Sequence, residues 1–292
     1  MRFRMIIIPI MLITFAGLGC AAGVPQRKPA VQPPRKGMAQ TEQKTVSKLP
    51  WEKDSEFVRT RQEAGAPVLM ASYKATLPDP ILYERHNISR AADLLRGAVV
   101  KPGEVFALNA RIGWRSAERG FKPGPMYSGG RVMSTVGGGV CKIASVIYNV
   151  AILADQEIVE RYPHSMTVPY VPPGQDATIS YGTKDFKFRN TTGGPILIWA
   201  QNTGGTLYMA FYGITSPPAV RWEHQTLSQS DTWTEYTTDP ALPKGAERVV
   251  HEGSKGIIVH SWIIVGDGAQ EVKKDLGISA YRPCPRVMAR GR

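Results

Sequence analysis

Val136-Gly137-Gly138-Gly139-Val140-Cys141-Lys142-Ile143-Ala144-Ser145-Val146-Ile147-Tyr148 places three glycines and a cysteine directly before an apolar run of helical spacing. The run continues through Val150, Ala151 and Leu153 and is apolar over most of its surface, which predicts a central, buried helix. Cys141 then lies at the start of that helix, where unpaired backbone amides carry partial positive charge and favour a thiolate over a thiol. A thiolate becomes a working nucleophile when a base and a donor for a developing oxyanion stand beside it. Downstream, Ile158 to Ser165 leaves the helix as an extended segment and delivers His164, a candidate base. The amides of Gly137, Gly138 and Gly139 are candidate oxyanion donors, because glycine permits the closest backbone approach. Asp176 or Asn190 can orient the imidazole, and the sequence does not choose between them. The competing reading makes Cys141 a small buried hydrophobe, the glycines packing devices and His164 a turn-capping residue.

Around this segment the chain punctuates short apolar stretches with Gly, Pro and Asn. Val68–Tyr73, Thr178–Tyr181, Lys187–Arg189, Ile196–Ala200 and Leu207–Tyr212 read as strands. Val99–Phe106 reads as strand, Pro-Gly turn, strand, and Asn87–Leu95 as a helix capped by Asn87 or Ser89. Beyond Ser216-Pro217-Pro218, Val249-Val250, Gly256–Val259 and Trp262–Val265 predict a small all-β module. The expected fold is therefore α+β: one buried helix carrying Cys141 at its start, packed on short antiparallel strands, with the β module following.

The N-terminus speaks for export. Arg2 and Arg4 precede the apolar stretch Met5–Ala16, which is too short to span a bilayer and is read as a signal peptide. Leu18-Gly19-Cys20 resembles a bacterial lipobox, with Gly17 where that pattern prefers leucine, so Cys20 is the expected lipidation site. An ordinary secretory signal with a chance cysteine is the alternative. The Pro-, Lys- and Gln-rich stretch that follows predicts a flexible tether over 21–66. The net charge of +12 raises the question of nucleic acid, but eight Lys and Arg against Glu42 alone fall within residues 1–50. A basic tether suits anionic lipid headgroups or wall polymers, and no nucleic-acid partner is expected. With three cysteines, Cys20, Cys141 and Cys284, a disulfide framework is excluded, although Cys141 and Cys284 can still pair. No Cys-x-x-Cys or His-x-x-x-His spacing occurs, so neither a metal nor a cofactor is expected.

Val136–Cys141, Glu160–Ser165, Tyr170–Thr178 and Asp185–Asn190 resemble, in order, the motifs of the VanW family, a family named for its association with vancomycin-resistance gene clusters. Lys101–Phe106 and Glu118–Phe121 are similar to its upstream blocks, and the resemblance runs over 67–214. Residues 220–292, including Leu242–Gly245 and Gly253–Gly256, resemble the glycine-punctuated β module that often follows that domain. The resemblance implies a cell-envelope protein, and some members act as cysteine peptidoglycan transpeptidases forming L,D-type cross-links. On that implication Cys141 is the nucleophile and His164 its base, acting on peptidoglycan stem peptides or their precursors. Where the family commonly has glutamine and then a serine pair, this chain has Lys142 and Ala144-Ser145. A non-catalytic module that binds wall precursors or glycan is the alternative of a different class, and a wall-directed cysteine peptidase a third. The expected setting is an exported, lipid-anchored protein facing the wall or periplasm.

Overall fold

In the computed structural model of the chain, residues 48–76, 83–128 and 131–292 are described. The expected signal peptide, Cys20 and the part of the expected tether up to residue 47 lie outside them. The first half runs α1 (Ser55–Glu63), β1 (Val68–Thr76), α2 (Glu84–Leu95), β2 (Ala98–Val100), β3 (Val105–Ala107), α3 (Leu108–Ile112), β4 (Pro123–Ser128), β5 (Arg131–Val136) and α4 (Cys141–Leu153). It continues with β6 (Glu157–Glu160), β7 (Lys187–Arg189), β8 (Ile196–Thr203) and β9 (Thr206–Gly213). The C-terminal part holds β10 (Val220–Ser230), β11 (Thr234–Thr238), β12 (Glu247–His251), β13 (Gly256–Val265), β14 (Val272–Tyr281) and β15 (Arg286–Arg290).

The central element is an antiparallel sheet in the order β1-β9-β8-β2. Over Ile196–Ala200 and Leu207–Tyr212 its inner strands are apolar at every position, and the period of two divides these residues between two cores. Ile196, Ile198 and Ala200 of β8, with Leu207, Met209 and Phe211 of β9, join the main core that encloses α2 and α4. Leu197, Trp199, Ala210 and Tyr212 face the other way and need a second cover. Residues 48–66 provide it. Trp51 and Phe57 are fully buried there, Phe57 meets Trp199 edge-on at 5.1 Å, and Trp51 Nε1 donates to Tyr212 Oη at 2.9 Å. The flexible tether expected over 21–66 is therefore too long: from Leu49 onward the chain caps a two-sided sheet, α1 included.

The α+β expectation holds in its coarser sense only. Few helices stand among many strands, nearly all antiparallel, and the fold is weighted towards β. β2 and β3 do not pair across the Pro-Gly turn; β2 joins β8, while β3 joins the separate sheet β3-β7-β6. Thr178–Tyr181 makes only the isolated bridge Ser180–Lys184 and no strand, because its backbone and side chains turn to α4 instead. The C-terminal part is all β, as sheets β10-β13-β14 and β11-β15-β12, with β11 and β15 parallel. Gly256–Val265 is one strand rather than the two expected.

This β module is not an independent body. Trp222, Ile263 and Val265 belong to the main core, and Trp222 meets Tyr148 of α4 edge-on at 5.8 Å. One apolar core thus runs from the central sheet through α4 into the module.

Candidate active site

α4 positions the site through the few polar residues it carries. Cys141, Ser145 and Asn149 recur at every fourth position and so share one helix face. That face binds the extended segment 175–179 residue by residue. Cys141 Sγ lies 3.3 Å from Thr178 Oγ1 and 3.6 Å from the Ile179 carbonyl. Ser145 Oγ accepts from Ala177 N and donates to Ala177 O, both at 3.0 Å, and Asn149 Nδ2 donates to Gln175 O at 2.7 Å. Asp176 is consequently fixed beside the helix, with its side chain only 1% exposed.

His164 completes the line. Its Nδ1 lies 2.6 Å from Asp176 Oδ2, its own amide donates to the same oxygen at 2.7 Å, and its ring is close enough to Cys141 for the two to interact electrostatically. Burial alone pushes the thiol up, but the hydrogen bond and charge of His164, aided by Thr178, outweigh it and bring Cys141 from 9.0 down to about 7. Burial opposes a charged imidazole as well, yet Asp176 and Cys141 hold the His164 proton, raising it from 6.5 to about 9. Asp176 stays below its ordinary value despite burial, held by His164 and Arg161. Both shifts favour a thiolate beside an imidazolium. Of the two candidates to orient the imidazole, Asp176 does so; Asn190 instead donates to Val100 O and Gly194 O at a distant turn.

Gly137 and Gly138 act differently from their expected part as oxyanion donors. Gly137 N donates to Lys122 O and Gly138 N to Thr135 O, both at 3.0 Å, so neither amide is available. Gly138 is instead a close-packing position: a Cβ there would lie 2.2 Å from the Gly124 carbonyl. Gly139 adopts φ +93°, and its amide and that of Cys141 donate to no acceptor among the described residues. Asn87, expected as a cap, sits inside α2 and braces this turn, bonding Lys122 O, Lys122 N and Gly138 O. Lys142, the departure just after the cysteine, is buried and paired with Glu84 of α2, with its ammonium 5.2 Å from the Tyr170 ring centroid. Its charge is answered within the protein.

The site opens into a cleft of about 1250 Å³ lined by Cys141, His164, Thr178, Trp114, Arg115 and Tyr170, among others. Trp114 and Tyr181 form an exposed edge-to-face pair at 5.3 Å, with Arg115 against Tyr181. Tyr148 is core. His251, Gly253 and Ser254 of the β module form one wall, a contribution that no local pattern around His251 signals. Cys284 is buried in the module, and no disulfide joins it to Cys141. No cluster of metal-ligating residues occurs among the described residues.

The sequence matches the family described as VanW like protein over residues 83–212 and the G5 domain family over residues 224–292. The chain carries a VanW domain and a G5 domain. The VanW domain contains the whole Cys141–His164–Asp176 line, and the G5 domain supplies the cleft wall. Among curated relatives, uncharacterized protein YoaR of Bacillus subtilis is 42% identical over 44% of this chain and 42% of its own length. The vancomycin B-type resistance protein VanW of Enterococcus faecalis is 30% identical over 49% of this chain and 57% of its own. The chain thus spans about half the length of the curated relatives it matches. Among solved structures, an IgA1 protease G5 domain is 27% identical, covering 26% of this chain and 92% of that one, at a TM-score of 0.18. HP0197-G5 is 18% identical over 26% of this chain and all of that one, at a TM-score of 0.15.

Proposed function

We propose that the chain is a cell-envelope cysteine acyltransferase that cross-links peptidoglycan stem peptides. The observation that carries the reading is the grouping of Cys141, His164 and Asp176 at an open cleft, with His164 bonded to Asp176 and the thiol drawn down to about 7 beside it. Such a line serves acyl transfer because the thiolate attacks a donor carbonyl and imidazolium gives its proton to the departing amine. The thioester on Cys141 then passes its acyl group to an acceptor amine, whose proton returns to His164. Of the three glycine amides, that of Gly139 remains as a proposed oxyanion donor, joined by the amide of Cys141. The envelope setting is supported by the VanW domain, by the resistance-protein relative and by the G5 domain, a module linked to glycan and cell-wall components. Membrane attachment rests on the lipidation of Cys20; no helix among the described residues is long and apolar enough to cross a bilayer. The domain division proposed is a signal peptide over 1–20, a tether ending near residue 47, and a catalytic domain fused to the β module.

Incubating the protein with muropeptides and measuring intact mass tests this reading. A thioester adduct on wild type that is absent in Cys141→Ala, together with new cross-linked dimers, is the expected result. Retained binding to wall material with neither adduct nor cross-link in wild type would favour the non-catalytic binding module.

A further inference from the structure

Asp176 is held from both ends, and one end belongs to the other domain. Its Oδ2 receives His164, while Oδ1 receives Arg161 Nη2 at 3.1 Å and the hydroxyl of Tyr281, which is on β14 of the G5 domain. The Tyr281 oxygen accepts Gly174 N at 2.7 Å, so its lone proton is directed at the carboxylate. The ring is 4% exposed, and burial beside Asp176 raises its hydroxyl well above the ordinary value, so it remains a donor wherever the thiolate forms. Arg161, the other donor to Oδ1, is anchored by the same strand: its Nη1 donates to Ser279 Oγ at 2.8 Å. Close by, Arg282 N donates to Ser165 O at 2.7 Å, one residue past the catalytic imidazole.

We infer that the G5 domain completes the catalytic line of the VanW domain, with Tyr281 a positioning residue that fixes the carboxylate behind His164. The role rests on the acyl-transfer reading above and assigns the G5 domain a part in chemistry that wall binding alone does not require. A carboxylate that accepts four donors in fixed directions cannot rotate away from the imidazole. Removing the hydroxyl leaves Oδ1 with Arg161 alone, loosens the His164 contact and weakens the hold on the imidazolium. The thiolate that pairs with it becomes harder to form. Nothing in the composition of the VanW segment reveals this dependence, since Tyr281 and Asp176 stand 105 residues apart.

The test is the alkylation rate of Cys141 by iodoacetamide against pH, followed by peptide mass on the full chain. Wild type, Tyr281→Phe, Ser279→Ala and Asp176→Asn are compared. Tyr281→Phe is expected to move the thiol midpoint upward by about one pH unit, slowing alkylation several-fold near neutrality, with an unchanged circular dichroism spectrum. Ser279→Ala, which disturbs the same carboxylate through Arg161, should move it in the same direction by less, and it decides the matter if Tyr281→Phe fails to fold. Midpoints in both module variants equal to wild type, with Asp176→Asn displaced, would overturn the inference and leave the catalytic line intact. An Asp176→Asn midpoint equal to wild type would instead contradict the catalytic line itself.

Discussion

At the scale of single residues, the helix start explains less of the thiol's state than its neighbours do. Burial raises Cys141, and His164 followed by Thr178 brings it down. Replacing Thr178 by valine keeps the shape and removes the hydrogen bond to Sγ. The thiol midpoint should then rise by less than about one unit, because His164 remains; spectrophotometric titration of the thiolate measures it. Gly138→Ala is a packing test: its Cβ meets backbone on a partner strand that cannot yield cheaply, so the turn must move. Cys141, His164 and Asp176 were legible because each sits in a short motif of ordered residue types. Thr178 lay inside a quoted motif with no role attached. Arg161 and Tyr281 were silent because their contacts cross 15 and 105 residues, a distance that no local pattern encodes.

At the scale of elements, α4 is legible as a buried helix and its working face is legible in hindsight. A polar residue every fourth position in an apolar helix is a signal, since buried polar groups need partners. Ser145 and Asn149 find theirs on 175–177, which is why that segment cannot be a strand. Asn149→Leu leaves the Gln175 carbonyl without its side-chain donor and should cost about 1–3 kcal/mol in urea unfolding. The Lys142–Glu84 pair has a similar logic between α4 and α2, with side chains 9% and 7% exposed. Glu84→Ala strands a buried ammonium and should cost about 3–5 kcal/mol, whereas Glu84→Gln with Lys142→Gln should cost less than the single change. Equal losses in both variants would show that the ion pair contributes nothing beyond packing.

At the scale of the whole molecule, the sequence reads two domains and a tether where one core of the described chain joins the two domains. Ser216-Pro217-Pro218 reads as a boundary from composition and falls between β9 and β10; the burial of Trp222, Ile263 and Val265 against the first domain was not legible, because apolar residues do not name their partners. Likewise, the continuously apolar stretches Ile196–Ala200 and Leu207–Tyr212 signal a sheet covered on both faces, but only the fold shows Trp51 and Phe57 providing the cover. A shared core predicts one cooperative unfolding transition for VanW and G5 domains together, seen as coincident far-ultraviolet and tryptophan signals. Trp222→Ala should lower that transition by about 3–5 kcal/mol rather than split off the module.

The claim on which the rest depends is that Cys141 exists as a thiolate held by His164. Its alkylation rate against pH in wild type and His164→Ala tests that most directly. Wild type should reach half its limiting rate near pH 7, and His164→Ala, left with burial and without its cation, should titrate far higher. A wild-type thiol that titrates near 9.0, or one unmoved by His164→Ala, would contradict the account.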